Sequence, residues 1–291
     1  MAFDPSTGAK PYRGRLAPSP TGYLHLGHAR TFWRAQERAR AAGGTLVLRV
    51  DDLDRERCRP EYLEAMFDDL RWFGFAWDEG PDRPGELAPD QYFQSARAAS
   101  YEQAFEGLRR NGRVYPCRCS RKDVRAAVNA PHAADDEPIY PGTCRPTPGG
   151  ASRPANSGHT CWRFHVPDGE PVEFVDGACG PQQFVAGRDF GDFVVRRADG
   201  TFSYQLACVV DDAAMRITEV VRGRDLLVST ARQILLYRAL GFTPPAFYHC
   251  ALVTDERGVR LAKRHDALSL RQLRAQGFTP EQLRSAQGWE L

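Results

Sequence analysis

The chain has 291 residues, is 42% hydrophobic and 26% charged, and carries a formal net charge of +2. That length suits one large domain or two smaller ones around a buried core, with the composition of an ordinary soluble globular protein. No apolar run approaches the roughly 18–20 residues of a membrane span, and the opening MAFDPSTGAK has no apolar signal core, so the expected location is the cytoplasm. A near-neutral total does not point to nucleic acid by itself, although it can hide a local basic face. The cations are nearly all arginine: Lys10, Lys122 and Lys263 are the lysines. Eight cysteines spread unevenly over the chain suit metal binding or free thiols better than a disulfide framework.

In chain order, the first ten residues read as disordered. YRGRLA (12–17) reads as a short strand, and Pro18, Ser19, Pro20 and Gly22 force a loop. A helix fits from Gly27, with Phe32, Trp33, Ala35, Gln36 and Ala39 at helical spacing and Gly43–Gly44 at its end. TLVLRV (45–50) is a short strand-like run. Strand, loop, helix and strand make a βαβ unit, which implies a parallel sheet and a right-handed crossover. Pro60 opens a second helix with the stripe Leu63, Met66, Phe67, Leu70 and Phe73, stopped by Gly74. A third helix is expected over 94–110, before Asn111–Gly112. Residues 117–160 are rich in proline, hold three cysteines and few large aliphatics, and read as an insertion. Strand-like runs return at 161–166, 172–176, 192–196 and 206–210. A helix fits 230–240, capped by Ser229 or Thr230 and closed by Gly241. There are no internal repeats.

Two clusters carry chemistry. In a βαβ unit, ligands bind beyond the carboxyl ends of the strands, where free N–H groups at a helix start favour anions. His25, Gly27 and His28 stand at that point. Gly27 allows close backbone approach, and imidazoles three residues apart share one side of the first turn, an arrangement suited to a phosphate gaining charge. The plain alternative is one loop histidine and one ordinary helix histidine. Cys117-x-Cys119 puts two thiolates within reach of one ion, and Cys144 offers a third. Zinc wants four ligands, and spacing nominates His132 or Cys161 as the last. The alternative is three buried free thiols. Cys58, Cys161, Cys179, Cys208 and Cys250 otherwise read as core or free thiols.

These residues carry a resemblance. RLAPSPTGYLHLGHART resembles the signature of class I aminoacyl-tRNA synthetases of the glutamyl branch, with HLGH in place of HIGH. LRVDDLD, SYQLACVVDD (203–212), VVRGRDLL (220–227) and the KMSKS-like GVRLAKRHDALSL (258–270) follow in family order. Only about 20 residues follow Leu270, and the CRC…Y…C insertion in a short chain is similar to the glutamyl-queuosine tRNA(Asp) synthetase family.

The resemblance implies an α/β, Rossmann-like class I catalytic domain with a zinc-finger-like insertion and no anticodon-binding domain. Its first half would span 11–112, the insertion and an acceptor-type subdomain 113–200, and its second half, with a short helical tail, 201–291. The implied activity is tRNA-independent activation of L-glutamate with ATP and Mg²⁺, then transfer of glutamate to the queuosine base of tRNA(Asp). His25, Gly27, His28 and Lys263 would bind ATP, with His25, His28 and Lys263 offsetting charge in the transition state. Arg15 would grip the substrate's side-chain carboxylate, Leu16, Ala17, Pro18 and Ser19 would line its pocket, and Tyr204 and Arg222 would complete it. Asp51 stands where the family has Glu, facing the substrate ammonium, and Ala262 stands where it usually has Ser. Cys117, Cys119, Tyr140 and Cys144 would hold one structural zinc. Arginines on the insertion and on 224–238 are candidate phosphate contacts, and the chain is expected to be a monomer. The alternatives are a minimal glutamyl-tRNA synthetase charging tRNA(Glu), and a catalytically silent tRNA- or nucleotide-binding paralogue.

Overall fold

The computed structural model describes residues 11–120, 122–124, 139–146, 160–253 and 269–286. The expected βαβ unit opens it. β1 (Arg13–Leu16) pairs in parallel with β2 (Thr45–Leu48), and α1 (Leu26–Ala41) crosses between them. The helix starts where it does because its own histidines cap it. His25 Nδ1 accepts from Gly27 N at 3.1 Å, and His28 Nδ1 accepts from His25 N at 3.3 Å, a reciprocal cap usually built from Ser and Glu. α2 (Pro60–Phe73) begins at its proline and ends on Gly74 at φ 90°, as the sequence predicts.

The remaining strands form two groups. β5 (Pro171–Asp176) and β6 (Gly180–Val185) make a hairpin that joins β9 (Ala246–Cys250), which lies parallel to β8 (Glu219–Gly223). β8 adjoins the βαβ unit, since Thr218 N donates to Arg13 O at 2.9 Å. A smaller antiparallel sheet orders β3 (Val114–Cys117), β4 (Cys161–Phe164) and β7 (Phe193–Arg196). Successive side chains of a strand point to opposite faces, and both faces of the parallel sheet are covered. Val47 and Val220 enter one apolar cluster, with α3 (Ala98–Arg110), α4 (Tyr204–Ala214) and α5 (Leu227–Leu240). Leu46, Leu48 and Val221 enter another, with α1, α2 and α6 (Leu270–Ala275); α7 (Pro280–Ala286) adds Leu283. Among the described residues no helix is long and apolar enough to cross a membrane.

Three expectations are corrected. Residues 206–210, read as a strand, lie in α4, whose residues Leu206 to Asp212 are all buried. A helix enclosed on every side shows no 3.6-residue polarity pattern, so Val209–Val210 misled. The helix expected from 230 begins at Leu227, with Leu226 at its cap and no side-chain cap bond, because a 3₁₀ turn over Arg224–Leu226 feeds straight into it. The helix expected from 94 is a 3₁₀ turn over Gln94–Ala96 followed by α3. β3, β6, β8 and β9 were not foreseen; Pro244–Pro245 masked the start of β9.

Candidate active site

The carboxyl ends of β1, β8 and β9 and the first turn of α1 surround a cavity of about 460 Å³. Arg15, Ala17, Pro18, Ser19, His25, Gly27, His28, Asp51, Tyr204 and Arg222, all nominated from the sequence, line it. Leu16 does not: it is fully buried in the core below. Lys263 and Ala262 lie outside the described residues.

At one end the rings of His25 and His28 sit 3.9 Å apart, centroid to centroid, with His28 also stacked on Phe32. Gly27 is required here, since a Cβ on it would lie 2.9 Å from His25 Cε1.

At the other end stands a buried chain of alternating charge that sequence reasoning missed. Arg15 Nε meets Asp212 Oδ1 at 3.4 Å and its NH1 donates to Val221 O at 3.1 Å. Asp212 Oδ1 also accepts from Arg49 NH1 at 2.6 Å, and Arg49 donates to both Asp51 oxygens, at 2.6 and 3.3 Å. Arg49 is fully buried. Burial works against both acids. It pushes the Asp51 carboxyl up to about 6 despite Arg49, whereas at Asp212 the pull of Arg49 and Arg15 outweighs burial and holds the carboxyl low. Cys208 has its Sγ 3.7 Å from Arg49 NH2, and burial raises its thiol pKa. Of the three acids in LRVDDLD only Asp51 reaches the cavity; Asp52 accepts from Ser95 at 2.6 and 2.8 Å, and Asp54 pairs with Arg57.

Arg222 is aimed by a second buried network. Its Nε donates to His249 Nε2 at 3.3 Å, its NH1 to Tyr204 Oη at 3.2 Å and its NH2 to Thr230 Oγ1 at 2.7 Å. His249 Nδ1 lies 2.6 Å from Asp176 Oδ2. A carboxylate only accepts, so Nδ1 carries the proton and Nε2 is left as acceptor for Arg222. Burial and then Arg222 hold the His249 imidazole below its usual pKa, which keeps it neutral. A guanidinium has five N–H donors; these contacts leave one on each terminal nitrogen of Arg222. Arg49, Asp212 and His249 each had a signal in the sequence, namely a charged or polar residue in or beside an apolar run, whereas Thr230 read as a helix cap and Asp176 as a strand end; the partners of all five were unknowable without the fold.

In the insertion, the Sγ atoms of Cys117, Cys119 and Cys144 lie within 4.8 Å of one another. Cys119 and Cys144 sulfurs are 3.6 Å apart, and Tyr140 Oη is 3.3 Å from Cys117 Sγ and 3.5 Å from Cys119 Sγ. A tetrahedral zinc with Zn–S of about 2.3 Å puts its sulfurs roughly 3.8 Å apart, and an oxygen ligand at about 2.1 Å lies roughly 3.6 Å from each of them. The four side chains therefore fit such an ion. Cys161 is paired across the strands with Cys117 but stands outside this group, and His132 lies outside the described residues. Arg163 Nε donates to Cys117 Sγ at 3.3 Å, and its guanidinium covers the Tyr140 ring at 4.0 Å.

The family model described as tRNA synthetases class I (E and Q), catalytic domain, matches residues 12–288. The chain is 52% identical to a glutamyl-Q tRNA(Asp) synthetase of Symbiobacterium thermophilum, over 92% of this chain and 83% of that protein. It is 51% identical to that of Nitratidesulfovibrio vulgaris, over 91% and 82%. A crystal structure of a glutamate tRNA ligase from Elizabethkingia meningosepticum, in complex with its amino acid, superposes with a TM-score of 0.74 at 29% identity. That match covers 92% of this chain and 54% of the ligase, so the chain spans about half the longer enzyme. The chain belongs to the class I tRNA synthetases of the E and Q group and, within them, to the glutamyl-Q tRNA(Asp) synthetases.

Proposed function

We propose that this protein is an ATP-dependent ligase that activates L-glutamate as glutamyl-adenylate without tRNA and transfers the glutamate to the queuosine base of tRNA(Asp). The observation that carries the reading is the charge pattern of the cavity. Arg15 and Arg222 offer two guanidiniums and Asp51 a carboxylate beside a paired-imidazole helix start, and Asp225, in the turn after β8, adds a second carboxylate to the lining. Glutamate presents the complement, two carboxylates and one ammonium. Arginine forks suit carboxylates; Arg222 and Tyr204 would take one carboxylate and Arg15 the other, with Ala17, Pro18 and Ser19 as the wall. Asp51 would meet the ammonium.

An α-carboxylate oxygen of glutamate attacks the α-phosphorus of ATP in line. The O–P bond forms as the bond to the bridging oxygen of pyrophosphate breaks. His25, His28 and the N–H groups of the α1 start offset the charge on the phosphates, and Lys263 is assigned the same task by family resemblance. A hydroxyl of the queuosine ring then attacks the activated carbonyl, loses its proton and expels AMP. Cys117, Cys119, Cys144 and Tyr140 would hold one structural zinc, which would staple the insertion and take no part in either step. The protein would act as a monomer in the cytoplasm.

Transfer of labelled glutamate to tRNA(Asp) with and without queuosine, alongside tRNA(Glu), tests the reading. Label confined to the queuosine-containing tRNA is expected. Label on tRNA(Glu) would make the chain a minimal glutamyl-tRNA synthetase, and label on none would leave a silent paralogue.

A further inference from the structure

A second hollow, of about 400 Å³, runs along the other flank of α1. Arg30, Trp33, Arg34 and Glu37 line it from that helix, at positions that share one stripe. Arg224, in the turn between β8 and α5, and Gln182 of the β5–β6 hairpin line it from elsewhere, and β9 contributes Tyr248 to Cys250. Ala251 borders both this hollow and the glutamate cavity, so the two adjoin.

Three guanidiniums here face one carboxylate. Glu37 serves Arg34 at 3.2 Å and accepts from Trp33 Nε1 at 2.8 Å. The guanidiniums of Arg30 and Arg224 make no hydrogen bond or ion pair with any described residue. Arg30 and Arg34 stand four apart on one helix, a like-charge spacing that weakens a helix unless something answers it. Their field reaches into the hollow: both oppose the burial that pushes the Cys250 thiol up to about 11, and Arg224 acts likewise on Cys179. A site with this surplus of arginine forks suits an anion with planar or tetrahedral oxygen groups, above all a phosphate.

We propose that this hollow binds backbone phosphate of the acceptor RNA and so registers the nucleic acid beside the adenylate. The inference rests on the reaction assigned above. The proposed function assigns glutamate and ATP to the neighbouring cavity; the remaining substrate is a polyanion that must approach the same carboxyl ends of the strands. Phosphate contacts of this kind position a nucleic acid and leave its sequence to be read elsewhere.

The test replaces Arg30, Arg34 and Arg224 by glutamine, singly and together, in the full chain. Glutamate-dependent ATP–pyrophosphate exchange reads activation and folding; filter binding of tRNA(Asp) and transfer of glutamate read the RNA. The triple variant is expected to weaken RNA binding and raise the tRNA KM by about 10-fold or more. It should also flatten the slope of log affinity against log salt by about 2, since each lost phosphate contact removes roughly 0.7–0.9. Exchange should stay within about twofold of wild type. Unchanged RNA affinity would overturn the proposal. So would a matching rise in the KM for ATP, which would give the hollow to the triphosphate. Wild-type protein that forms adenylate but labels no tRNA would instead overturn the acceptor assignment, while the binding comparison would still decide the role of the hollow.

Discussion

The Asp51 carboxyl is where stability and activity pull apart. Its pKa in the fold is raised to about 6, chiefly by burial, so the folded protein holds this proton more tightly than the unfolded chain does. By linkage, the contribution of Asp51 to stability is present in acid and is lost as pH rises from about 4 through 6. The substrate ammonium requires the opposite, an ionised Asp51. The KM for glutamate in pyrophosphate exchange should therefore climb as pH falls below about 6. Asp51→Asn should be weak at every pH and show no such limb; a wild-type KM flat between pH 5 and 7 would remove Asp51 from the role. The groups that face it, Arg49, Arg15, Asp211 and Cys208, are cations, an acid tied to Arg97 and Gln94, and a thiol with a raised pKa. His249 makes a separate prediction. Losing a hydrogen bond to a charged group costs about 1.5–3 kcal/mol, roughly 10- to 100-fold, so His249→Ala should raise the glutamate KM by that factor and leave the KM for ATP nearly unchanged. His249→Gln, which can return an acceptor to Arg222, should recover part of the loss. Equal damage to both KM values would mean that His249 only supports the fold.

At the level of elements, much of the architecture was legible because local rules and tertiary demands agreed. The Pro60 start, the Gly74 and Gly241 stops and the βαβ unit follow from dihedral preference and periodicity. What failed was α4, where the signal of amphipathicity vanishes because core surrounds it on all sides, and the unflagged strands β3, β6, β8 and β9, the last of them inside its sheet between β5 and β8. The cavity was legible for a similar reason. Arg15, Asp51, Tyr204 and Arg222 sit at the ends of elements in segments that could be recognised, whereas the links from Arg49 to Asp212, from Asp176 to His249 and from His249 to Arg222 span 27 to 163 residues. Gly27 tests the α1 start directly. Replacing a helix glycine by alanine ordinarily favours the helix by about 0.5–1 kcal/mol, but here the new Cβ would press on His25 at 2.9 Å. Displacing a positioned group by about 1 Å can lower a rate 100-fold. Gly27→Ala should therefore keep or raise the melting temperature while glutamate activation drops about 100-fold; undiminished exchange would show that His25 does not need its place.

Across the whole molecule, two large apolar clusters carry the catalytic body, while among the described residues the insertion has a buried cluster of Tyr115, Cys117, Val124 and Tyr140. Four residues of that size offset little of the entropy of ordering the chain around them. One fastening to the rest runs through Asp192, which accepts from Tyr115 Oη, from Val166 N at 2.9 Å and from Arg145 at 2.5 and 2.7 Å, and Arg145 also pairs with Asp168. Arg145 directly follows Cys144, so an ion that holds Cys144 also holds the arginine that reaches Asp192. If zinc is the staple, the purified protein should carry about one ion per chain. A strong chelator should then remove a low-temperature step in thermal unfolding and expose residues 139–146 to hydrogen exchange, because metal binding is folding energy for such a unit. Cys144→Ala should reproduce both effects without chelator. The clusters around the cavity do not depend on those contacts, so pyrophosphate exchange should survive chelation in large part. Exchange that collapses together with the metal would mean that the insertion and the catalytic body fold as one cooperative unit; a chelated protein with an unaltered melting profile would mean that the thiols pack without an ion.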